Sequence, residues 1–358
     1  MLRNRGWISL ARTAALVVSL VGLVGAGAGA GGCNKGDGGG TPSPGGPAGE
    51  PAKAAGGGGS AAASPIDLIP KDAAVVFGVN WSKFKGTKFF NMLVTSLPPD
   101  SKTKLDEMKQ LCSIDPLNDL DSIVVGVVGN LDKSSKAVIV VKGNWDEDKV
   151  AKCTTAMGDK EGKKVTVTKD GNITSYAGAN DKTVSVGWAG NLMVFTSTSM
   201  DGDKTLLTEI MKKASSVKDN KPVMDLLGKT DQGATIYGAF VAPPGSDVGG
   251  ALNKMTGGTE KLAGAYGTIK LASDLDMNIG LRFGSDADAK TVADKMGKEL
   301  EGAKQSPQGA FLSKASVAAS GSDAIIKVAL DEKQLDQLTE MAKQMAPMLM
   351  GGMLGGGQ

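Results

Sequence analysis

The chain has 358 residues, of which 41% are apolar and 22% charged, so it is long enough to build one or two packed cores. Its net charge of +2 depends on three arginines in the first twelve residues, and the remainder carries 37 basic against 38 acidic side chains. A nearly neutral surface argues against nucleic acid as a partner. The chain contains no histidine, which excludes catalytic triads built on that residue and removes the commonest metal ligand. We therefore expect no catalytic residue, no cofactor and no metal site.

The first 32 residues have the pattern of a secretory signal peptide. Arg3 and Arg5 precede the apolar run Thr13–Val24, and only glycine and alanine occupy the eight positions before Cys33. This pattern resembles the lipobox of bacterial lipoproteins, in which the cysteine becomes the acylated first residue of the mature chain. Cys33 is therefore the predicted lipidation site. An ordinary cleaved signal and an uncleaved anchor are the alternatives, although the apolar run is short for crossing about 30 Å of hydrocarbon.

Residues 33–64 are predicted to be the lipidated cysteine and a disordered tether. They are rich in glycine, alanine, proline and serine and show no apolar periodicity. A coil of about 30 residues reaches roughly 30 Å on average, enough to hold a domain clear of a bilayer. The expected location is the cell envelope. In the lipoproteins that the leader resembles, a residue other than aspartate after the cysteine, here Asn34, favours the outer membrane, facing the periplasm or the cell surface.

Two further cysteines, Cys112 and Cys153, each lie in an apolar pattern of helical spacing. In an oxidising, exported compartment such a pair favours a disulfide. The bond closes a loop of about 40 residues and contributes roughly 4 kcal/mol to stability. Two buried free thiols and a catalytic thiol are the alternatives, and no histidine is present to activate a thiol.

From residue 65 onward the sequence nearly repeats itself. The strand pattern Ala74–Val79 returns as Ala234–Ala239. Two further strands, each followed by a helix, recur in the same order, Val138–Val141 with Ile279–Phe283 and Leu192–Thr196 with Ile325–Leu330. Three matched elements in one order indicate an internal duplication.

Within each copy, strands joined by short turns indicate an antiparallel sheet, and the intervening helices make the class α+β. The expected fold is two related domains, each an antiparallel sheet with helices packed on one face. Repeat 1 is predicted over residues 65–220 and repeat 2 over residues 221–346. A flexible tail rich in methionine and glycine is predicted over residues 347–358.

The segment Leu68–Val75, placed after a leader, a cysteine and a tether, resembles the start of uncharacterised lipoproteins from myxobacteria and related bacteria. Those proteins also carry patterns similar to Cys112–Leu117 and Leu120–Val124. The resemblance covers most of the chain after Pro65. It implies an exported domain without an assigned activity, so it transfers no functional residues to this chain.

Trp81, Phe84, Phe89 and Phe90 are the main concentration of aromatic residues. We expect them to fill the core of repeat 1 or, alternatively, to line an apolar groove for a ligand. The acidic stretch Asp115–Asp121 lacks the ligand spacing of a calcium loop, which favours a structural turn over a cation site.

Methionines are frequent between Met341 and Met353, and thioethers suit Cu(I). However, Leu335, Leu338 and Met345 have the helical spacing of a stripe that faces a core. We therefore interpret the methionines as packing residues.

These features predict a membrane-anchored, non-enzymatic envelope lipoprotein with a binding or scaffolding role. Its expected partners are the membrane, through the acyl chains, and an envelope protein. A carrier or chaperone for a lipid or another apolar ligand is the alternative. An enzyme that uses carboxylates alone is a third interpretation, and it needs two paired acids in a cleft, one of them with a raised pKa.

Overall fold

The computed structural model describes residues 64–95, 97–129, 135–178, 183–212, 215–242, 262–306, 309–337 and 340. These residues all belong to one contact unit, Ala63–Gln358. Cys33, the leader, the tether up to residue 63 and the tail at residues 347–358 lie outside the described residues, so what the sequence predicts for them stays a prediction.

Within the described residues, twelve strands form one antiparallel sheet. Their bounds are β1 Ala73–Asn80, β2 Leu120–Val128, β3 Lys136–Gly143, β4 Thr166–Asp170, β5 Ile173–Ala177, β6 Thr183–Ala189, β7 Leu192–Thr196, β8 Ile236–Val241, β9 Leu262–Leu271, β10 Leu275–Phe283, β11 Ser316–Ser320 and β12 Asp323–Leu330. The strand order across the sheet is β11-β12-β10-β9-β8-β1-β2-β3-β7-β6-β5-β4.

The helices lie in the connections between these strands. Their bounds are α1 Trp81–Phe84, α2 Lys88–Thr95, α3 Pro99–Cys112, α4 Pro116–Asp119, α5 Glu147–Lys160, α6 Thr205–Met211, α7 Lys221–Leu227 and α8 Asp286–Lys304. Single 3-10 turns occupy Pro65–Leu68, Ser199–Asp201, Val217–Asp219 and Gly309–Leu312.

The helices that follow β3 and β10, α5 and α8, both begin at a side-chain cap. The Asp146 carboxylate accepts a hydrogen bond of 2.7 Å from the backbone N–H of Lys149 and caps α5. Ser285 caps α8 in the same way through the N–H of Asp288, at 3.1 Å. Acidic residues follow both caps, where they stabilise the positive end of the helix dipole.

The first strands of the two predicted repeats, β1 and β8, pair with each other in the middle of the sheet. Phe77 lies opposite Gly238, and Gly78 lies opposite Tyr237. Because the sequence match aligns Phe77 with Tyr237 and Gly78 with Gly238, this register relates the two strands by a local two-fold axis. Equivalent residues therefore exchange places across the pair.

The strand order continues this symmetry outward. On one side of the central pair the order is β1, β2, β3, β7, β6, and on the other it is β8, β9, β10, β12, β11. In both halves the third strand leads into a long helix, α5 or α8, and the chain then returns to the sheet at its edge. The duplication and its repeat bounds stay a prediction.

The α+β class is confirmed, but the arrangement differs from the expected one in two ways. The strands of both repeats belong to a single sheet rather than to two, and helices cover both faces rather than one. On β7, Val194 packs in the cluster that contains Leu207 of α6. The next residue, Phe195, packs on the opposite face in the cluster that contains Val150 of α5.

The second half of the sheet shows the same alternation. On β12, Ile325 packs against the cluster of α6 and α7, whereas Ala324 and Ile326 pack with Val292 of α8. The sequence of β2 shows why both faces of the sheet are covered. Its three consecutive residues Ile123–Val125 are all buried. A continuous apolar run of this kind is typical of a strand that is covered on both faces.

Two glycines in the sheet make room for aromatic rings from neighbouring strands. A Cβ atom on Gly78 would lie 2.3 Å from the ring of Tyr237 on β8. A Cβ atom on Gly280 of β10 would lie 2.2 Å from the ring of Tyr266 on β9. Both tyrosines are buried, so neither ring can move aside into solvent.

We predict that Gly78→Ala lowers the free energy of unfolding by about 1–3 kcal/mol, because the added methyl overlaps the Tyr237 ring in a filled core. Gly284→Ala is the matched control, since a Cβ atom there has no neighbour within 4 Å. Urea denaturation followed by circular dichroism measures both. Equal stability of the two variants would contradict the packing of Tyr237 over β1.

Candidate functional site

A group of polar side chains surrounds the buried carboxylate of Asp323, at the start of β12. Its side chain is only 3% exposed. Arg282, directly opposite on β10, binds it through both Nε and Nη2, the second at 3.0 Å. Lys229, just after α7, donates from Nζ at 2.5 Å, and the hydroxyl of Tyr266 on β9 donates at 3.0 Å. We name these four residues the Asp323 cluster.

The electrostatics of the Asp323 cluster favour a charged carboxylate. Burial pushes the pKa of Asp323 upward, but the hydrogen bonds from Arg282, Lys229 and Tyr266 outweigh it and lower the pKa to about 2. Burial and the hydrogen bond to Asp323 raise the pKa of Tyr266 to about 12. The Lys229 ammonium also lies 5.4 Å from the centre of the Tyr266 ring, within cation–π range.

The chemistry of the Asp323 cluster is that of a structural tie. A general acid or base needs a pKa near the working pH, whereas Asp323 stays ionised and is held by three donors. The cluster fastens β12, β10, β9 and the end of α7 on one face of the sheet. No sequence pattern predicts this cluster, although one signal is present: Arg282 is the only arginine after Arg12. Arginine suits a bidentate, buried ion pair better than lysine does.

Cys112 and Cys153 meet as the sequence predicts for a disulfide. A disulfide bond joins the two residues, and their Cα atoms lie 4.9 Å apart. The bond joins the last residue of α3 to the middle of α5. Two ion pairs connect the same helices and their ends, Lys160 with Glu107 at 3.0 Å and Lys104 with Glu161 at 2.5 Å.

The aromatic residues of the predicted groove form a packed cluster. The ring of Trp81 lies 5.4 Å from that of Phe84 and 5.5 Å from that of Phe90, and its indole N–H donates to the carbonyl of Leu117 at 2.8 Å. Trp81 and Phe84 are buried, whereas Phe89 is partly exposed. These contacts fit the core interpretation, and the ligand groove stays a prediction.

The acidic stretch that ends at β2 is organised as a turn. Asp115 caps α4 through the N–H of Asn118 at 3.2 Å, and Asp119 accepts from the N–H of Asp115 at 2.8 Å. Lys109 pairs with Asp115 at 3.0 Å. Among the described residues, no group of three or more histidine, cysteine, aspartate or glutamate side chains is placed to hold a metal ion.

Two open, shallow concavities on the described surface are lined mainly by polar residues. One lies beside Asn220 at the start of α7, between Lys71 and Pro222. The other lies along residues 331–337. None of the helices in the described part of the chain has the length and apolar character needed to cross a bilayer.

Comparison with known proteins yields a distant structural likeness alone. No protein family model matches the sequence, and no curated protein matches it. A solved structure entitled "Structure of crystal form I of TP0453" is similar over 78% of this chain and 98% of its own, with 11% sequence identity and a TM-score of 0.44. A likeness at that level carries no argument about function.

We predict that the double variant Cys112→Ser, Cys153→Ser unfolds with a free energy about 4 kcal/mol below that of the wild type, because the unfolded chain regains a loop of 41 residues. Thermal denaturation with and without dithiothreitol measures the effect. Reductant should lower the melting temperature of the wild type and leave that of the variant unchanged. A wild type that is indifferent to reductant would contradict the prediction.

The Asp323 cluster predicts a specific acid sensitivity. Because the folded-state pKa of about 2 lies below the ordinary value of 3.8, the stabilisation is complete above about pH 4 and is lost as the pH falls toward 2. The shift corresponds to about 2 kcal/mol. Asp323→Asn should remove this part of the acid dependence and lower stability at pH 7 by about 2–3 kcal/mol, since Arg282 and Lys229 lose their partner.

The control for this experiment is Asp276→Asn, which changes an exposed carboxylate on β10. Urea denaturation at a series of pH values from 2 to 7 gives the stability of each variant. An acid transition in Asp323→Asn as steep as that in the wild type would contradict the assignment.

Proposed function

We propose that this chain is a lipid-anchored protein of the bacterial cell envelope with a non-enzymatic binding or scaffolding role. The leader that ends at Cys33 supports the anchor, and the tether of residues 34–64 supports a globular unit held away from the membrane surface. The outer membrane is the proposed location because Asn34 follows the cysteine.

The main support for this proposal comes from the residues that directly follow the predicted tether, where the globular unit begins. Immediately after the tether, Leu68 and Ile69 are buried at 2% and 0% exposure. The carbonyl of Ile69 accepts a 2.7 Å hydrogen bond from the N–H of Val217, and Asp67 forms an ion pair with Lys218. The first residues after the predicted tether are thus held in the main core, which supports a globular unit that begins directly after it.

The proposal of a non-enzymatic role is supported by the residue types present and by the hydrogen bonds of the buried carboxylate. The chain has no histidine, and in the described residues the most deeply buried carboxylate, Asp323, is saturated by three donors. Such a carboxylate is engaged in holding strands together, which supports a structural role. A hydrolase or transferase activity of envelope extracts that disappears when this chain is deleted would contradict this part of the proposal.

We predict that Cys33→Ala abolishes acylation. Wild-type chain produced in a lipoprotein-processing bacterium should enter the detergent phase of a Triton X-114 separation and carry acyl groups on its first residue, measured by mass spectrometry of the N-terminal peptide. The Cys33→Ala chain should keep its leader or be cut at another small residue, and it should lack acyl groups.

Ser60→Ala, a change within the tether, is the matched control and should behave as the wild type. A mature wild-type chain with an unmodified Cys33 would overturn the lipid anchor. That result would leave the description of the folded unit intact, because the two rest on different residues.

A further inference from the structure

Strand β11 is an open edge of the sheet. It pairs with β12 on one side, and within the described residues no strand lies on its other side. Four of its five residues are exposed, and Val317 packs beneath α8. Its sequence, Ser-Val-Ala-Ala-Ser, contains neither a charge nor a proline. An uncharged edge presents unpaired backbone N–H and C=O groups to another strand.

The opposite edge, β4, is protected in the usual way. Lys169 of β4 pairs with Asp148 of α5 at 2.7 Å, and Asp170 pairs with Lys204 at 2.9 Å. Charged side chains along an edge oppose the approach of another strand, because pairing would remove their water. The two ends of the same sheet therefore differ, and β11 alone lacks this protection.

In the other half of the sheet, the strand in the place of β11 is covered on its outer side by a further strand. Counted outward from the β1–β8 pair, β11 occupies the place of β6. The outer side of β6 is covered by β5, which pairs with it antiparallel. Repeat 2 has no described strand in the place of β5. An antiparallel strand is therefore the partner that this position accepts.

We propose that β11 pairs antiparallel with β11 of a second copy of this chain, so that two sheets join across a two-fold axis centred on Ala318. The sequence is nearly the same in both directions, which is what a self-complementary interface needs. In this register Ser316 lies opposite Ser320 of the second copy, and Val317 lies opposite its Ala319. Only small residues meet across the axis.

The backbone favours the same register. Ser320 and Asp323 flank the two-residue turn between β11 and β12, and the residues that flank such a turn exchange backbone hydrogen bonds. Because bonding alternates along an antiparallel strand, Ala318 also bonds to β12, whereas Val317 and Ala319 direct their backbone groups outward. An axis at Ala318 pairs these outward groups with each other.

The contact is small and does not depend on acylation of Cys33. A five-residue edge buries less than the roughly 1,200 Å² of a standard stable interface, so the dimer is a reversible one. A covalent trap is therefore the appropriate test. In a pair of residues that do not exchange hydrogen bonds, the Cα atoms lie about 4.5 Å apart, within the range of a disulfide.

The experiment compares three single-cysteine additions in the full chain, purified in detergent and treated with a mild oxidant. Ala318→Cys should form a disulfide-linked dimer about tenfold faster than Thr168→Cys on the β4 edge, because pairing holds the two thiols at a high effective concentration. Ala319→Cys should crosslink as slowly as Thr168→Cys, since its Cα atom lies about 8 Å from that of its copy in this register. Non-reducing gels measure the rates.

A second pair of variants removes the dependence on the added cysteine. In sedimentation equilibrium over a concentration series, Ala318→Lys should be monomeric where the wild type dimerises, and Thr168→Lys should behave as the wild type. Equal crosslinking at residues 318 and 168, crosslinking at 319 as fast as at 318, or a wild type that stays monomeric would each overturn the proposal.

Discussion

The pairing of β1 with β8 is the contact on which the rest of the described structure depends. It is the one strand pair in the described sheet that joins the two halves. Its register demands glycine on both strands: a Cβ atom on Gly78 would overlap the Tyr237 ring, and one on Gly238 would lie 2.8 Å from the Cβ atom of Phe77. Each strand therefore needs a glycine directly after its aromatic residue, because that glycine lies opposite the aromatic residue of the other strand.

The same junction is reinforced by polar contacts from the end of β1. The side chain of Asn80 donates to the carbonyl of Gln232 at 3.1 Å and to that of Ala234. Lys83, one helical turn later, donates to the carbonyl of Gly233. These bonds hold the turn that precedes β8 against α1, so the halves meet through side chains as well as through the strand pair.

Much of this architecture could be predicted from the sequence, because its signals are local. The strand pattern Ala74–Val79 and its counterpart Ala234–Ala239 can each be identified within six residues, and each turn between paired strands spans only a few residues. The union of both repeats in one sheet could not be predicted, because a strand's partner is chosen by packing over long separations. Helix coverage of both faces was not predicted either, because short turns between strands do not show how many faces of a sheet are covered. The signal that could have shown it is the buried apolar run Ile123–Val125 in β2.

The Asp323 cluster could not be predicted either, because it also depends on contacts between residues that are far apart in the sequence. Asp323 and Arg282 are 41 residues apart, and nothing in their immediate neighbours marks them as partners. The cysteines could be predicted as a pair because the leader predicts an oxidising compartment, in which two thiols favour a disulfide. For the aromatic group, composition indicated a cluster but could not distinguish a filled core from a groove, since that depends on the side chains that enclose it.

The disulfide also changes the topology of the chain. Cys112 and Cys153 bracket the whole β2–β3 hairpin together with α4, so these elements lie inside a covalent ring. A peptide bond cut anywhere within that ring leaves the two fragments joined through the sulfur atoms. A protease that cuts this part of the molecule thus opens a loop without releasing either half of the sheet.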